Sequence, residues 1–297
     1  MAAPHAARLL ILGRTGQLGA ELMAQAPGLG FEPVGLGSGE LDVTDRSGLE
    51  AAIDSVRPHA LVNATAYHVV PDCDRFPERA LAVNAAAVQV MADLCHARGM
   101  GLVTFSTDYV FDGSKGAPYY EDDRPNPLQT YGVSKYAGEL LSALFHPGSL
   151  VFRSCGVYGG RSGSRAKQGN FVLSILRESD IRSELEVSCE QIVNPTCAAD
   201  LAAATLGLLG RSAPAGTYHL ASEGFCSWAA FAEAIMELSG RGMRIVPVDR
   251  GGMSGSLRRP LFSALSNVKA KALGVTLPDW KDGLKRYLER LGAQART

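Results

Sequence analysis

The apolar run RLLILG (8–13) empties directly into GRTGQLG, where Gly13, Gly16 and Gly19 stand three apart and a helical pattern opens behind them. This junction constrains the chain more than any other stretch. A strand that is apolar at every position must be covered on both faces, which is the habit of parallel sheets. Glycines at its end let the backbone turn tightly and leave N–H groups unpaired at the start of a helix, where an anion such as a pyrophosphate is held. The spacing therefore predicts a dinucleotide-binding turn, with an ordinary glycine turn as the alternative.

The rest of the first half repeats the alternation. Further strands are expected at PVGLG (33–37), ALVNAT (60–65), GLVTFST (101–107) and SLVFRS (149–154). Between them, ELMAQA, GLEAAIDSV, PERALAVNAAAVQVMADLCHARG and TYGVSKYAGELLSAL carry apolar residues at helical spacing. The expected fold class is α/β, a doubly wound parallel Rossmann sheet with a smaller C-terminal substrate lobe. Residues 1–160 are read as the NAD(P)-binding Rossmann domain. Residues 161–297 are read as the substrate-binding lobe, interleaved with the first, because no Pro/Gly/Ser-rich linker or repeat separates them.

Composition excludes several partners. With 46% hydrophobic and 20% charged residues over 297 positions, the chain is in the ordinary globular range, and a formal net charge of −1 gives no footprint for nucleic acid or an acidic membrane surface. The six cysteines form no CxxC pair, so neither a zinc ribbon nor a disulfide framework is read, and no metal site is expected. LLILG is too short for a signal segment, and Asp93, His96 and Arg98 break the apolar tract around residues 79–103. A soluble, unprocessed cytoplasmic protein is expected.

The glycine spacing is GxxGxxG, which points to the short-chain dehydrogenase branch of this architecture. That branch pairs a tyrosine with a lysine four residues on, and Tyr131 and Lys135 in YGVSK fit. On a helix this offset puts both side chains on one face. The ammonium is expected to favour the phenolate and lower the tyrosine pKa; a solvated helix face is the alternative. In FSTDYVFDG (105–113), the fourth strand ends by presenting Ser106, Thr107, Asp108 and Tyr109 together. Ligands of open parallel sheets bind beyond the carboxyl ends of the strands, so Thr107 is expected to share a substrate carbonyl oxygen with Tyr131. A capping cluster is the plainer reading.

Taken in order, GRTGQLG, ELDVTD, VNATAY, ALAVNA, STDYVFDG, EDDRPNPLQTYGVSKYAGE, RSCGVYG, GNFV, QIVNPT, GTYHLA and RRPLFSAL resemble the dTDP-4-dehydrorhamnose reductase family of extended short-chain dehydrogenases, over nearly the whole chain. The resemblance implies an NAD(P)H-dependent reductase of a nucleotide-linked 4-keto-6-deoxyhexose, with Thr107, Tyr131 and Lys135 catalytic. It implies a cofactor held by Gly13, Arg14, Thr15, Gly16, Gln17, Leu18 and Gly19 at the diphosphate, Asp42 and Val43 at the adenine, and Ala64, Thr65, Ala66 and Tyr67 past the third strand. Tyr131 and Lys135 also reach it, and Asn84 braces the site.

On the substrate side the resemblance implies His68, Asp108, Tyr109, Gly156 and Asn170, with Arg165 and Lys167 of a basic loop near the substrate diphosphate. Two departures bear on the sugar: many relatives carry Trp where this chain has Gly156, and Thr where it has His68. Because GLGSGE offers no acid directly after the second strand and Arg14 is the nearest cation, NADPH is expected as cofactor, with NADH tolerated. The other readings are a non-catalytic NADP-binding regulatory subunit and a nucleotide-sugar epimerase. A homodimer is compatible with the resemblance.

Overall fold

A computed structural model describes residues 7–160, 169–254 and 257–294. The first strand, β1 (Ala7–Leu12), buries Leu9, Leu10, Ile11 and Leu12. Successive side chains point to opposite faces of a strand, and both faces are covered. Leu9 and Ile11 pack with Leu22, Leu201 and Leu208, while Leu10 and Leu12 pack with Leu49, Ile53 and Met91.

The chain then alternates through α1 (Gln17–Gln25), β2 (Phe31–Leu36), α2 (Arg46–Val56) and β3 (Ala60–Asn63). A helix Pro77–Leu81 passes through a π turn, Ala82–Ala86, into α3 (Ala87–Ala97). β4 (Gly101–Thr107), α4 (Thr130–Phe145) and β5 (Leu150–Ser154) complete the first half. The five strands pair in parallel in the order β2-β1-β3-β4-β5, each within two residues of its expected bounds. Pro33, which cannot donate to a ladder, lies in β2 at the sheet edge. The stretch Pro77–Ala97 is long and apolar enough to cross a bilayer, but Ala87, Val88, Met91, Ala92, Leu94 and Cys95 are buried inside the protein. No two of the cysteines are joined in a disulfide among the described residues.

Beyond residue 160 come α5 (Phe171–Ser179), β6 (Glu184–Ser188), α6 (Ala198–Gly210), β7 (Gly216–His219), α7 (Trp228–Ser239), β8 (Arg244–Val248) and α8 (Trp280–Gln294). β7 pairs in parallel with β5 as the sixth strand of the main sheet, and α6 covers the face that α1 covers. A second core gathers Val172 and Ile175 of α5, Val187 of β6, Phe231 and Ile235 of α7, Ile245 of β8, and Trp280 and Leu284 of α8. Within the main sheet, chain order reverses between β1 and β3, which opens a crevice at their carboxyl ends.

Candidate active site

The glycine turn sits in that crevice. Gly13 adopts φ +84°, and its N–H and that of Arg14 both donate to the Leu36 carbonyl, at 2.8 and 3.2 Å. A Cβ on Gly13 would meet the Ala64 carbonyl oxygen at 2.9 Å, and one on Gly19 would lie 2.1 Å from the Gly13 carbonyl oxygen. Only bare backbone lets α1 approach β1 and β3 this closely. Gly16 caps α1 without any side-chain acceptor, so the first N–H groups of the helix are left for a ligand.

Gly13, Thr15, Gly16, Gln17, Leu18, Asp42, Val43, Ala64, Thr65 and Ala66 line one cavity of about 1030 Å³. Its glycine cradle, uncapped helix end and positive end-dipole fit a dinucleotide diphosphate. Asp42 accepts both the N–H and the hydroxyl of Thr44, at 2.9 and 2.8 Å, which hold its carboxyl below the ordinary range.

Arg14, Gly19, Tyr67 and Asn84 do not line the cavity. Arg14 turns to Glu40, Nε to Oε2 at 2.9 Å and Nη2 to Oε1 at 3.1 Å, and the same carboxylate accepts the Gly37 N–H at 2.8 Å. This corrects the expectation that no acid ends the second strand. The Glu40 N–H bonds back to the Gly37 carbonyl at 2.9 Å, and that tight turn swings the carboxylate to the strand end. Asn84 is buried in the π turn and clamps the Tyr67 peptide, accepting its N–H at 2.9 Å and donating to its carbonyl at 2.8 Å, while also reaching the Ser134 hydroxyl at 3.0 Å. It thus ties the loop after β3 to α4 next to Lys135, a place where π turns often serve a site.

Thr107, Asp108, Tyr109, Tyr131 and Lys135 line the same cavity, with His68 and Gly156. The Thr107 hydroxyl donates to Asp108 Oδ1 at 3.0 Å and accepts the Tyr109 N–H at 3.2 Å; Ser263 donates to Asp108 Oδ2 at 2.6 Å. Burial nevertheless pushes the Asp108 carboxyl up, against the pull of those bonds and of Cys155.

Lys135 is buried, and desolvation lowers its ammonium to about 8, opposed by the charge of Glu139 one turn on. Arg153 of β5 takes both oxygens of that carboxylate, at 2.9 and 2.7 Å, in a buried pair. Tyr131 departs from the sequence expectation. Burial, and next the Asp108 carboxylate, push its phenol up, and the Thr107 hydroxyl opposes them. A phenol held this way is protonated at neutral pH, the state a proton donor must start from.

Asn170 lines the cavity, but its polar atoms are engaged. Oδ1 caps α5 at Leu173 N–H, 3.0 Å, while Nδ2 reaches Gln17 Oε1 at 3.0 Å, the Gly159 carbonyl at 3.1 Å and the Tyr287 hydroxyl at 3.0 Å. It fastens α5 and α8 to the glycine turn. Arg165 and Lys167 lie outside the described residues. The cavity also draws on Phe171, Gln191, Trp228, Arg250 and Arg259, which sequence reasoning did not single out. No local spacing links them to the turn or the Tyr/Lys pair.

With the parallel sheet behind it, this arrangement is that of an extended short-chain dehydrogenase/reductase. The RmlD substrate binding domain family matches residues 7–293. The chain is 34% identical over 293 residues to the dTDP-4-dehydrorhamnose reductase of Sinorhizobium fredii, covering 95% of this chain and 96% of that one. It is 34% identical over 282 residues to the spore coat polysaccharide biosynthesis protein SpsK of Bacillus subtilis, covering 95% and 97%. The fold matches the crystal structure of the dTDP-4-dehydrorhamnose reductase of Bacillus anthracis in complex with NADP, with TM-score 0.88 and 30% identity over 96% of this chain and 99% of that one. The chain belongs to the dTDP-4-dehydrorhamnose reductase family, and it is an oxidoreductase.

Proposed function

We propose that the protein reduces the 4-keto group of a dTDP-linked 6-deoxyhexose, and that its substrate is dTDP-4-dehydrorhamnose, giving dTDP-L-rhamnose. The observation that carries this reading is the convergence of Thr107, Tyr131 and Lys135 on the cavity that also holds the glycine turn. NADPH is the cofactor, and NADH is accepted too, because Glu40 already holds Arg14 at the end of the second strand. When bound, the nicotinamide supplies the hydride that adds to C4.

The residues of the chain supply the rest. The protonated Tyr131 phenol donates its proton to the ketone oxygen as the C–O double bond becomes an alcohol, so hydride and proton together balance the reduction. Lys135, one turn along the same helix face, stabilises the phenolate left behind. Thr107 fixes the ketone oxygen, its own hydroxyl oriented by Asp108 and by the Tyr109 N–H. The substrate names of the Sinorhizobium and Bacillus anthracis reductases support the sugar, whereas SpsK carries a name tied to a coat polysaccharide. Tyr131→Phe should lower kcat by about 10² or more with NADPH affinity nearly intact. Wild-type turnover in that variant would remove Tyr131 from the chemistry.

A further inference from the structure

Past the reacting corner, the cavity has an aromatic wall whose role the reductase chemistry does not assign. Trp228 is the first residue of α7, and Ser227 caps that helix by accepting the Ala230 N–H at 3.1 Å. One side of the indole is fixed by rings: Phe171 at 4.6 Å between centroids and Phe231 at 6.2 Å, with Phe171 and Phe231 stacked on each other at 5.6 Å. Trp228 also packs against a cluster that includes Val193 and Ala221, and, half-buried between the two, it lines the cavity.

Its position relative to the chemistry follows from the sheet. Thr107 and Ser154 are register partners of β4 and β5, so Gly156 lies two residues beyond the strand end next to Thr107. Gly156 has φ +56°, and a Cβ there would meet Pro195 Cα at 3.3 Å, the Asn194 carbonyl oxygen at 3.4 Å and Trp228 Cη2 at 3.4 Å. The site therefore presents bare backbone at 156, with the rim of the Trp228 indole against it.

We infer that Trp228 is the sugar-facing wall of the site: its indole packs against the apolar C–H face of the hexose and sets which face of the ketone meets Tyr131. This rests on the reductase reading. A pyranose is polar at its rim and apolar across its C–H face, and a 6-deoxy sugar adds a methyl group. A rigid indole fixed from behind by two phenyl rings matches that surface, and its large contact area is gained with little side-chain entropy lost on binding. Phe171, at the start of α5, is the support that holds the ring in place.

The chain has two tryptophans, and the other, Trp280, is buried in the second core. In a Trp280→Phe variant, emission therefore reports Trp228 alone. Titration without cofactor should give a marked change with dTDP-L-rhamnose and little with dTDP, which lacks the hexose. If Trp280→Phe weakens the fold, the wild-type emission change minus that of Trp228→Phe gives the same readout. Trp228→Leu should raise KM for the nucleotide sugar by about tenfold while NADPH affinity and inhibition by dTDP stay as in wild type, and Trp228→Phe should recover most of the loss. Equal emission changes with dTDP and dTDP-L-rhamnose, together with an unaltered KM in Trp228→Leu, would overturn the inference and leave the reductase reading standing. Absence of any dTDP-hexose binding or reduction would sink both.

Discussion

Replacing Gly19 with alanine adds one methyl group on the buried side of α1, and its cost can be worked out. Helix propensity alone favours the change by about 1 kcal/mol. Against it, the new Cβ would stand 2.1 Å from the Gly13 carbonyl oxygen, 2.7 Å from the Gly13 carbonyl carbon and 3.0 Å from Arg14 Cα. All three are backbone atoms, so no side chain can rotate away. Restoring ordinary contact at about 3.5 Å requires α1 and the turn to separate by about 1.4 Å. Overpacking of this kind costs about 1–3 kcal/mol, so the net loss of stability is expected at about 0–2 kcal/mol. The larger effect is expected on the ligand, because the same turn is the proposed diphosphate cradle, and a misplacement of about 1 Å costs about 10²-fold in kcat/KM. Gly28→Ala is the control: nothing lies within 4 Å of its added Cβ, and it should change stability by no more than about 0.5 kcal/mol. Urea melts and NADPH titrations of both variants make the comparison. Wild-type NADPH affinity and kcat/KM in Gly19→Ala would refute the argument that close backbone approach at this turn builds the cofactor site.

The lysine gives a pH signature with two opposite signs. With its pKa lowered to about 8 in the folded protein, Lys135 loses the ammonium proposed to stabilise the phenolate as pH rises through about 8, so kcat should fall there. Stability moves the other way, because the folded state binds fewer protons than the unfolded chain between about 8 and the ordinary lysine value, and the cost of burying the charge fades across that window. A pH–rate profile flat through about 8 would contradict this. Glu40→Gln should free Arg14 and shift preference toward NADPH over NADH by a few-fold, the scale of an exposed charge pair; paired titrations in which both cofactors change equally would assign Arg14 elsewhere.

Much of this architecture was legible because burial on both faces writes itself into sequence. Leu9 to Leu12 could only be an interior strand, and the three glycines after it could only ease a tight, close turn. The offset of Tyr131 and Lys135 likewise reads directly as one helix face. Other features depend on partners distant in the chain. GTYH becomes a sheet strand only because β5 lies beside it. The carboxylate that holds Arg14 comes from a turn whose fold-back is invisible in GLGSGE. The pKa of Tyr131 was expected to fall because its helix neighbour is a lysine, yet it rises through burial and Asp108, from the end of β4. Trp228 and Arg259 reach the cavity from more than ninety residues past Tyr131, and no local pattern announces them.

The central claim, that this cavity reduces a dTDP-linked 4-keto sugar with Tyr131 as proton donor, is tested most directly by mixing the purified protein with NADPH and dTDP-4-dehydrorhamnose. Nicotinamide absorbance is followed while the sugar product is identified by NMR. The account predicts one NADPH oxidised for each ketone reduced, dTDP-L-rhamnose as product, and a rate lower by about 10² or more in Tyr131→Phe. No NADPH consumption with this substrate or with any other dTDP-4-keto-6-deoxyhexose, by a protein that binds NADPH and is folded, would contradict it.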